Sequence, residues 1–288
     1  MKKILVTGAN GQLGKELRDL ASSFLQYEFL FLSREDLPIH QFELVRNVFA
    51  SFLPDFCINC AAYTAVDKAE QEAELAQLVN GESVGILAAV SAAHGCRFIH
   101  VSTDYVYGGD ASEPYAEDSP TAPSSVYGKT KLAGEVEAIK NDPLSVIIRT
   151  SWVYSYYGNN FVKTMMRLMK DRKEISVVND QKGSPTLAAD LATEISLLHI
   201  IGQSQWHPGI YNYSNDGEIT WYDFALEIKR LIAADCFVHP IPSSAYPTPA
   251  KRPAYSVLDK QKIKRVFGVY PESWKGSLEK CISQLLKN

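Results

Sequence analysis

No run of apolar residues in this chain approaches the length needed to cross a bilayer, which reads against a membrane-spanning protein. Met1-Lys2-Lys3 precedes only Ile4-Leu5-Val6 before Thr7-Gly8, too short for the apolar stretch of a signal peptide. Five cysteines are an odd count without framework spacing. Cys57 and Cys60 form a C-x-x-C, but in Phe56-Cys57-Ile58-Asn59-Cys60, which reads as a buried strand. Residues three apart on a strand face opposite ways, so packing is the better account of the pair. The six histidines show no H-x-x-H or H-E-x-x-H clustering, and no metal site is expected. A net charge of −4 argues against general binding to nucleic acid or to a membrane surface. No internal repeat is evident. These exclusions point to a cytoplasmic globular protein. The 46% hydrophobic content, over 288 residues, suffices for one large or two small domains.

Strand and helix patterns alternate through the first half. Lys3–Thr7, Phe29–Leu32, Asp55–Asn59, Arg97–Val101 and Leu144–Ile148 read as strands, with helical patterns between them. Asp67–Ala93 reads as one long helix that carries Asn80. This alternation predicts an α/β fold, a Rossmann-like doubly wound parallel sheet. The later half is less regular. Asn160–Lys170, Leu187–Ile200, Trp221–Ile232, Lys260–Val266 and Glu272–Leu286 look helical, and Ile175–Val178 looks like a strand. Five prolines from Pro240 to Pro253 mark extended loop. The expected division is a nucleotide-binding domain over 1–150 and a smaller, loop-rich substrate domain over 151–288, with segments near 175–200 returning to the first.

The first strand runs into Gly8-Ala9-Asn10-Gly11-Gln12-Leu13-Gly14 and then a helix. Strand, glycine turn and helix form the context of a dinucleotide site, where a pyrophosphate meets a helix N-terminus. Gly8, Asn10, Gly11, Gln12 and Leu13 are therefore candidate cofactor residues. After the second strand stand Ser33 and Arg34 where an acidic residue would hold a ribose 2′-hydroxyl. A hydroxyl and a guanidinium suit a 2′-phosphate instead, so NADP(H) is favoured over NAD(H), with NADH still possible. Tyr127 and Lys131 lie four residues apart at a helix start, one turn from each other on one face. A nearby ammonium lowers a phenol's pKa, which lets Tyr127 exchange a proton with a substrate oxygen at neutral pH. Thr103 ends the fourth strand, at the sheet edge where ligands bind in open α/β folds.

Together these pieces resemble the extended short-chain dehydrogenases/reductases. Cys60–Glu70 (CAAYTAVDKAE), Ser102–Tyr107 (STDYVY), Tyr127–Glu135 (YGKTKLAGE), Arg149–Tyr154, Asn179–Thr186 and Pro249–Pro253 resemble, more narrowly, the dTDP-4-dehydrorhamnose reductases. The resemblance implies reduction of the C4 ketone of a nucleotide-linked sugar, dTDP-4-dehydro-L-rhamnose, by NADPH. It implies Tyr127 as proton donor, Lys131 as the residue that tunes Tyr127 and holds the nicotinamide ribose, and Thr103 as a hydrogen-bond partner of the ketone. It adds Ala61, Ala62, Tyr63, Asn80 and Ser102 to the cofactor residues, and Thr64, Val66, Asp104, Trp152, Asn160 and Arg252 to the substrate residues. Related dehydratases carry Asp-Glu after the threonine for elimination; here Tyr105 follows Asp104. Some family members form metal-bridged dimers through three glutamates. Glu16 matches the first, whereas Ala189 and the region of Gln284 occupy the other two, which implies a monomer or a dimer without a metal bridge. A non-catalytic regulatory subunit of the methionine adenosyltransferase type and a sugar-nucleotide epimerase share parts of this pattern and remain alternatives.

Overall fold

In the computed structural model, which describes residues 1–193 and 197–287, Ile4, Leu5 and Val6 form the centre of the first strand, β1 (Lys2–Thr7), and are wholly buried. Side chains alternate along a strand. Ile4 and Val6 accordingly join one apolar cluster and Leu5 another. The same split recurs in β3 (Phe56–Asn59), with Phe56 and Ile58 on one face and Cys57 on the other. With β2 (Tyr27–Leu32), β4 (Arg97–Thr103), β5 (Val146–Thr150) and an edge strand Gly209–Asn212 they make a six-stranded sheet. Its order is β2-β1-β3-β4-β5 and then the edge strand, all parallel. Buried on both faces, these strands are held by apolar residues worth roughly 1.5–3 kcal/mol each when fully covered. Chain order reverses between β1 and β3, and a crevice opens beyond the carboxyl ends of such a pair.

Helix Gln12–Ala21 covers one face through Leu13 and Leu17. Helices Phe42–Phe52 and Ser83–Ala93 cover the other through Val45, Phe49, Val84 and Leu87. The expected single helix Asp67–Ala93 is instead broken. Val66–Ala69 is a separate short helix, and the helix from Ala73 to Ala93 widens through a π-helical turn at Leu78–Glu82. That turn swings Asn80 inward, a common use of π-bulges. Contrary to the expectation of no membrane-length apolar segment, Ala73–Ala93 is long and apolar enough to span a bilayer by length and composition. Here its apolar surface packs against the sheet and against helix Val126–Asn141.

A second core lies behind Trp152. Tyr154, Met165, Ile175, Val177, Phe224, Trp274 and Leu278 are buried together there. Strand Glu174–Val178 pairs in parallel with Phe237–Ile241. Pro240 thus lies within a strand rather than in loop as expected. Each strand of a two-stranded sheet keeps one free edge, where a missing N–H is tolerated. Of the segment Leu187–Ile200, expected to be one helix, Ala188–Ala192 and the helix beginning at Leu197 are described, and 194–196 lie outside the described residues. Leu191, Ala192 and Ile200 pack into the core under β1, not into the second core. Gly209–Asn212, with few alternating residues, gave no strand signal in the sequence, yet it closes the sheet beside β5.

Candidate active site

Gly8 follows β1 with φ +66°, a left-handed conformation that suits glycine. A Cβ there would stand 2.5 Å from the Ala61 nitrogen, so the turn after β1 and the end of β3 lie in direct contact. A cleft of about 380 Å³ opens at this switch point, lined by Gly8, Asn10, Gly11, Arg34, Ala61 and Tyr63 among others. Helix Gln12–Ala21 points its N-terminus here, with Gly11 in extended conformation at the cap and no side chain bonded to the free N–H groups. Those N–H groups and the glycine cradle fit a dinucleotide pyrophosphate. The Leu13 side chain is buried in the core, which leaves only its backbone free toward this turn.

Three residues expected to touch cofactor have their side chains engaged by the protein itself. Asn80 is fully buried. Its Oδ1 accepts from Tyr63 N at 2.8 Å, and its Nδ2 donates to Tyr63 O and to Thr130 Oγ1. It fixes the loop after β3 from behind. Ser102 donates to Glu135 Oε1 at 2.5 Å, and Glu135 is itself bound by the buried Arg149 guanidinium. Ser33 donates to Glu35 at 2.7 Å and accepts from the backbone of Glu35 and Asp36. Its hydroxyl shapes the turn, and the exposed Arg34 lines the cleft.

Helix Val126–Asn141 starts where Ser125 Oγ accepts from Gly128 N at 3.1 Å, an N-cap. Gly128 presses against the Tyr105 carbonyl with no room for a side chain, which brings the helix onto the end of β4. Tyr127 lies half-buried there, edge-on to the Tyr105 ring. Burial pushes the Tyr127 phenol up to about 12; a hydrogen bond with Thr103 acts the other way and the Asp104 carboxylate adds to the rise. The expectation that Lys131 lowers this pKa is not met. Lys131 is almost wholly buried, with Nζ donating to Val101 O at 2.7 Å and lying 3.2 Å from His100 Nε2. Its amino group is held against β4. Burial lowers Lys131 itself to about 8, against the pull of Glu135 and Cys60.

Thr103 donates to Asp104 Oδ1 at 2.9 Å and accepts from Tyr105 N. Burial raises Asp104 to about 6, with hydrogen bonds from Ser256 and Thr103 opposing. Trp152 has φ +48°, strained for a tryptophan, and stacks on Trp221 with ring centroids 3.5 Å apart. Asn160 caps helix Phe161–Asp171 through Lys163 N and donates to Gln12 Oε1 at 2.9 Å. A residue expected on the substrate side thus grips one expected on the cofactor side. Arg252 pairs with Asp67 at 2.7 Å, and Asp67 also accepts from Ala250 N. That carboxylate latches the proline-rich loop over the short helix Val66–Ala69 through Arg252 Nη2, while the buried Arg252 Nη1 has no hydrogen-bond partner among the described residues. Thr64 is exposed at the cleft, whereas Val66 does not line it and opens that helix.

Sequence reasoning missed His100, Asp67 and Trp221. A signal for His100 was present: an imidazole inside the apolar run Phe98-Ile99-His100-Val101 must be hydrogen-bonded if buried. Trp221 gave none, since only the folded chain brings it to Trp152.

A nucleotide cleft at the switch point, with a tyrosine and a lysine one helical turn apart beside the β4 end, defines an extended short-chain dehydrogenase/reductase. Comparison with known proteins narrows the class. A family described as RmlD substrate binding domain matches residues 1–287. The dTDP-4-dehydrorhamnose reductase of Aggregatibacter actinomycetemcomitans is 41% identical over 97% of this chain and 98% of its own. The solved dTDP-4-dehydrorhamnose reductase of Clostridium acetobutylicum is 41% identical with a TM-score of 0.94, covering 99% of both chains. That of Bacillus anthracis, solved in complex with NADP, is 39% identical with a TM-score of 0.93, over 99% of this chain and 100% of its own. The chain belongs to the dTDP-4-dehydrorhamnose reductase family.

Proposed function

We propose that the protein reduces the C4 ketone of dTDP-4-dehydro-L-rhamnose with NADPH to give dTDP-L-rhamnose, a building block of cell-surface polysaccharide. The carrying observation is that Thr103, Tyr127 and Lys131 stand intact at one sheet edge in a chain that matches named reductases along its whole length. NADPH, when bound, supplies the hydride. Tyr127 gives its proton to the ketone oxygen as negative charge develops there. A phenol held up near 12 is protonated at neutral pH, the form a proton donor needs. Thr103 turns its hydroxyl from Asp104 to the same oxygen and stabilises that charge. Lys131 holds the nicotinamide ribose, and its ammonium offsets the phenolate left on Tyr127. Asp104 and Trp152 face the sugar, and Arg34 meets the 2′-phosphate. Tyr105 in place of a glutamate removes the group that elimination requires.

A water-soluble substrate and cofactor support a reaction in the cytoplasm. Glu16 is buried and accepts from Ser155 Oγ at 2.5 Å, which withholds it from a metal shared between copies and favours a monomer or a dimer bridged otherwise. The test is loss of NADPH absorbance on adding dTDP-4-dehydro-L-rhamnose, with dTDP-glucose, which has no ketone, as control. Tight NADPH binding without turnover of any 4-keto sugar nucleotide would sink the reductase reading in favour of a regulatory subunit.

A further inference from the structure

Four buried polar groups form a chain behind the site. The Ala61 N–H donates to Asn59 Oδ1 at 3.1 Å, and Thr7 Oγ1 donates to the same oxygen at 2.7 Å. A backbone N–H is only a donor, so the Asn59 amide cannot be flipped, and its Nδ2 is the group 3.0 Å from His100 Nδ1. His100 Nδ1 therefore accepts, and the proton of the neutral imidazole sits on Nε2. Nε2 faces Lys131 Nζ at 3.2 Å. An ammonium has only donors to offer, whereas a neutral amine has one lone pair. With Nε2 protonated, the 3.2 Å contact suits the neutral amine.

We propose that His100 is a positioning residue for the reductase site: its Nε2–H, set by Asn59, lets the neutral amine of Lys131 dock on the imidazole and turns the ammonium away, toward Tyr127 and the cofactor. The proposal rests on Lys131 holding the nicotinamide ribose. Burial keeps His100 well below the usual imidazole range, so the ring stays neutral and the donor stays in place. The other groups that face Lys131 are Glu135 one turn along its own helix, neutralised by Arg149, and the Cys60 thiol from the end of β3, which burial pushes up to about 12. Tyr127, one turn back, is held up to about 12. Lys131 is thus the group of this set that changes charge near pH 8.

The experiment is NADPH affinity, read by energy transfer from protein tryptophan to the nicotinamide, as a function of pH from neutral to alkaline. Lys131 gives up its proton as pH rises through about 8, and the cofactor loses its ammonium partner. Wild-type affinity should be level below that break and fall by up to about tenfold per pH unit above it. Lys131→Met should abolish the break and bind weakly throughout. His100→Gln offers a carbonyl to the ammonium and should move the break upward by about one pH unit, while weakening binding at pH 7 by about threefold to tenfold. Asn59→Asp keeps the shape of Asn59 but requires a proton on His100 Nδ1. It turns Nε2 into an acceptor and should shift the break the same way, which decides the matter if His100→Gln fails to fold. A folded His100→Gln or Asn59→Asp protein with the wild-type break overturns the role of His100, as does a wild type without one. A Lys131→Met protein that binds like wild type overturns instead the reading of Lys131.

Discussion

The sheet that carries the cleft and the aromatic core behind Trp152 keep their shape by different means. In the sheet, a continuous parallel ladder fixes every strand end, so the cleft is built largely from backbone: the Gly8 turn, the Cys60–Tyr63 loop and a helix N-terminus. Behind Trp152 one ladder, Glu174–Val178 with Phe237–Ile241, runs five residues, and the other two are short. Val153–Tyr154 pairs with Thr186–Leu187, and Ile219–Thr220 with Lys182–Gly183, two residues each. Rings do the holding there. Trp152 stacks on Trp221, Phe161 tilts onto Trp221 at 4.7 Å, and Phe224 meets Trp274 edge-on at 5.9 Å. A site built on backbone should lose chemistry, and little stability, when a polar atom at its edge is removed. A region held by rings should lose stability first.

Tyr127→Phe gives the largest effect. It removes one oxygen and keeps the ring against Tyr105. Steady-state kcat should fall by about 10²–10⁴, the range for a positioned general acid, with the urea midpoint unmoved. A variant that turns over at the wild-type rate shows that the proton comes from elsewhere.

Phe224→Ala probes the other region. Phe224 is fully buried among Tyr154, Phe161 and Trp274. Truncation should cost about 3–5 kcal/mol by urea unfolding, while NADPH affinity stays near wild type. A cost below about 1 kcal/mol, far under that expected for a buried ring, means the ring cluster is not what holds this half.

Arg34→Ala should have the smallest effect, since Arg34 is exposed. The ratio of kcat/KM for NADPH over NADH should drop by about tenfold, equivalent to one partly solvated charge-assisted hydrogen bond, with the NADH value unchanged. An unchanged ratio removes Arg34 as the selector and leaves the Ser33–Asp36 turn to be searched.

Legibility followed the same division. β1 and the Gly8 turn could be read because a short β-branched run and a glycine spacing are local signals. The Tyr127–Lys131 pair was equally local. The widening at Leu78–Glu82 was not, because helix-forming segments flank it on both sides and only Asn80 reaching for Tyr63 and Thr130 shows why the helix must widen there. Pro240 was misread because sequence shows a proline's missing donor but not that the strand beside it needs none.

The sequence by itself determined the alternation of strands and helices, the glycine cradle and the Tyr127–Lys131 pair, since each depends on residues close together in the chain. Only the tertiary structure decided where those side chains point. Lys131 was expected to serve Tyr127, four residues away, but its amine lies against His100 and Val101 from β4. Ser102 faces Glu135 rather than the cleft, and Arg252 is engaged by Asp67, 185 residues away. A buried polar group goes to whatever partner the fold brings within about 3 Å, and that partner is set by packing rather than by neighbours in sequence.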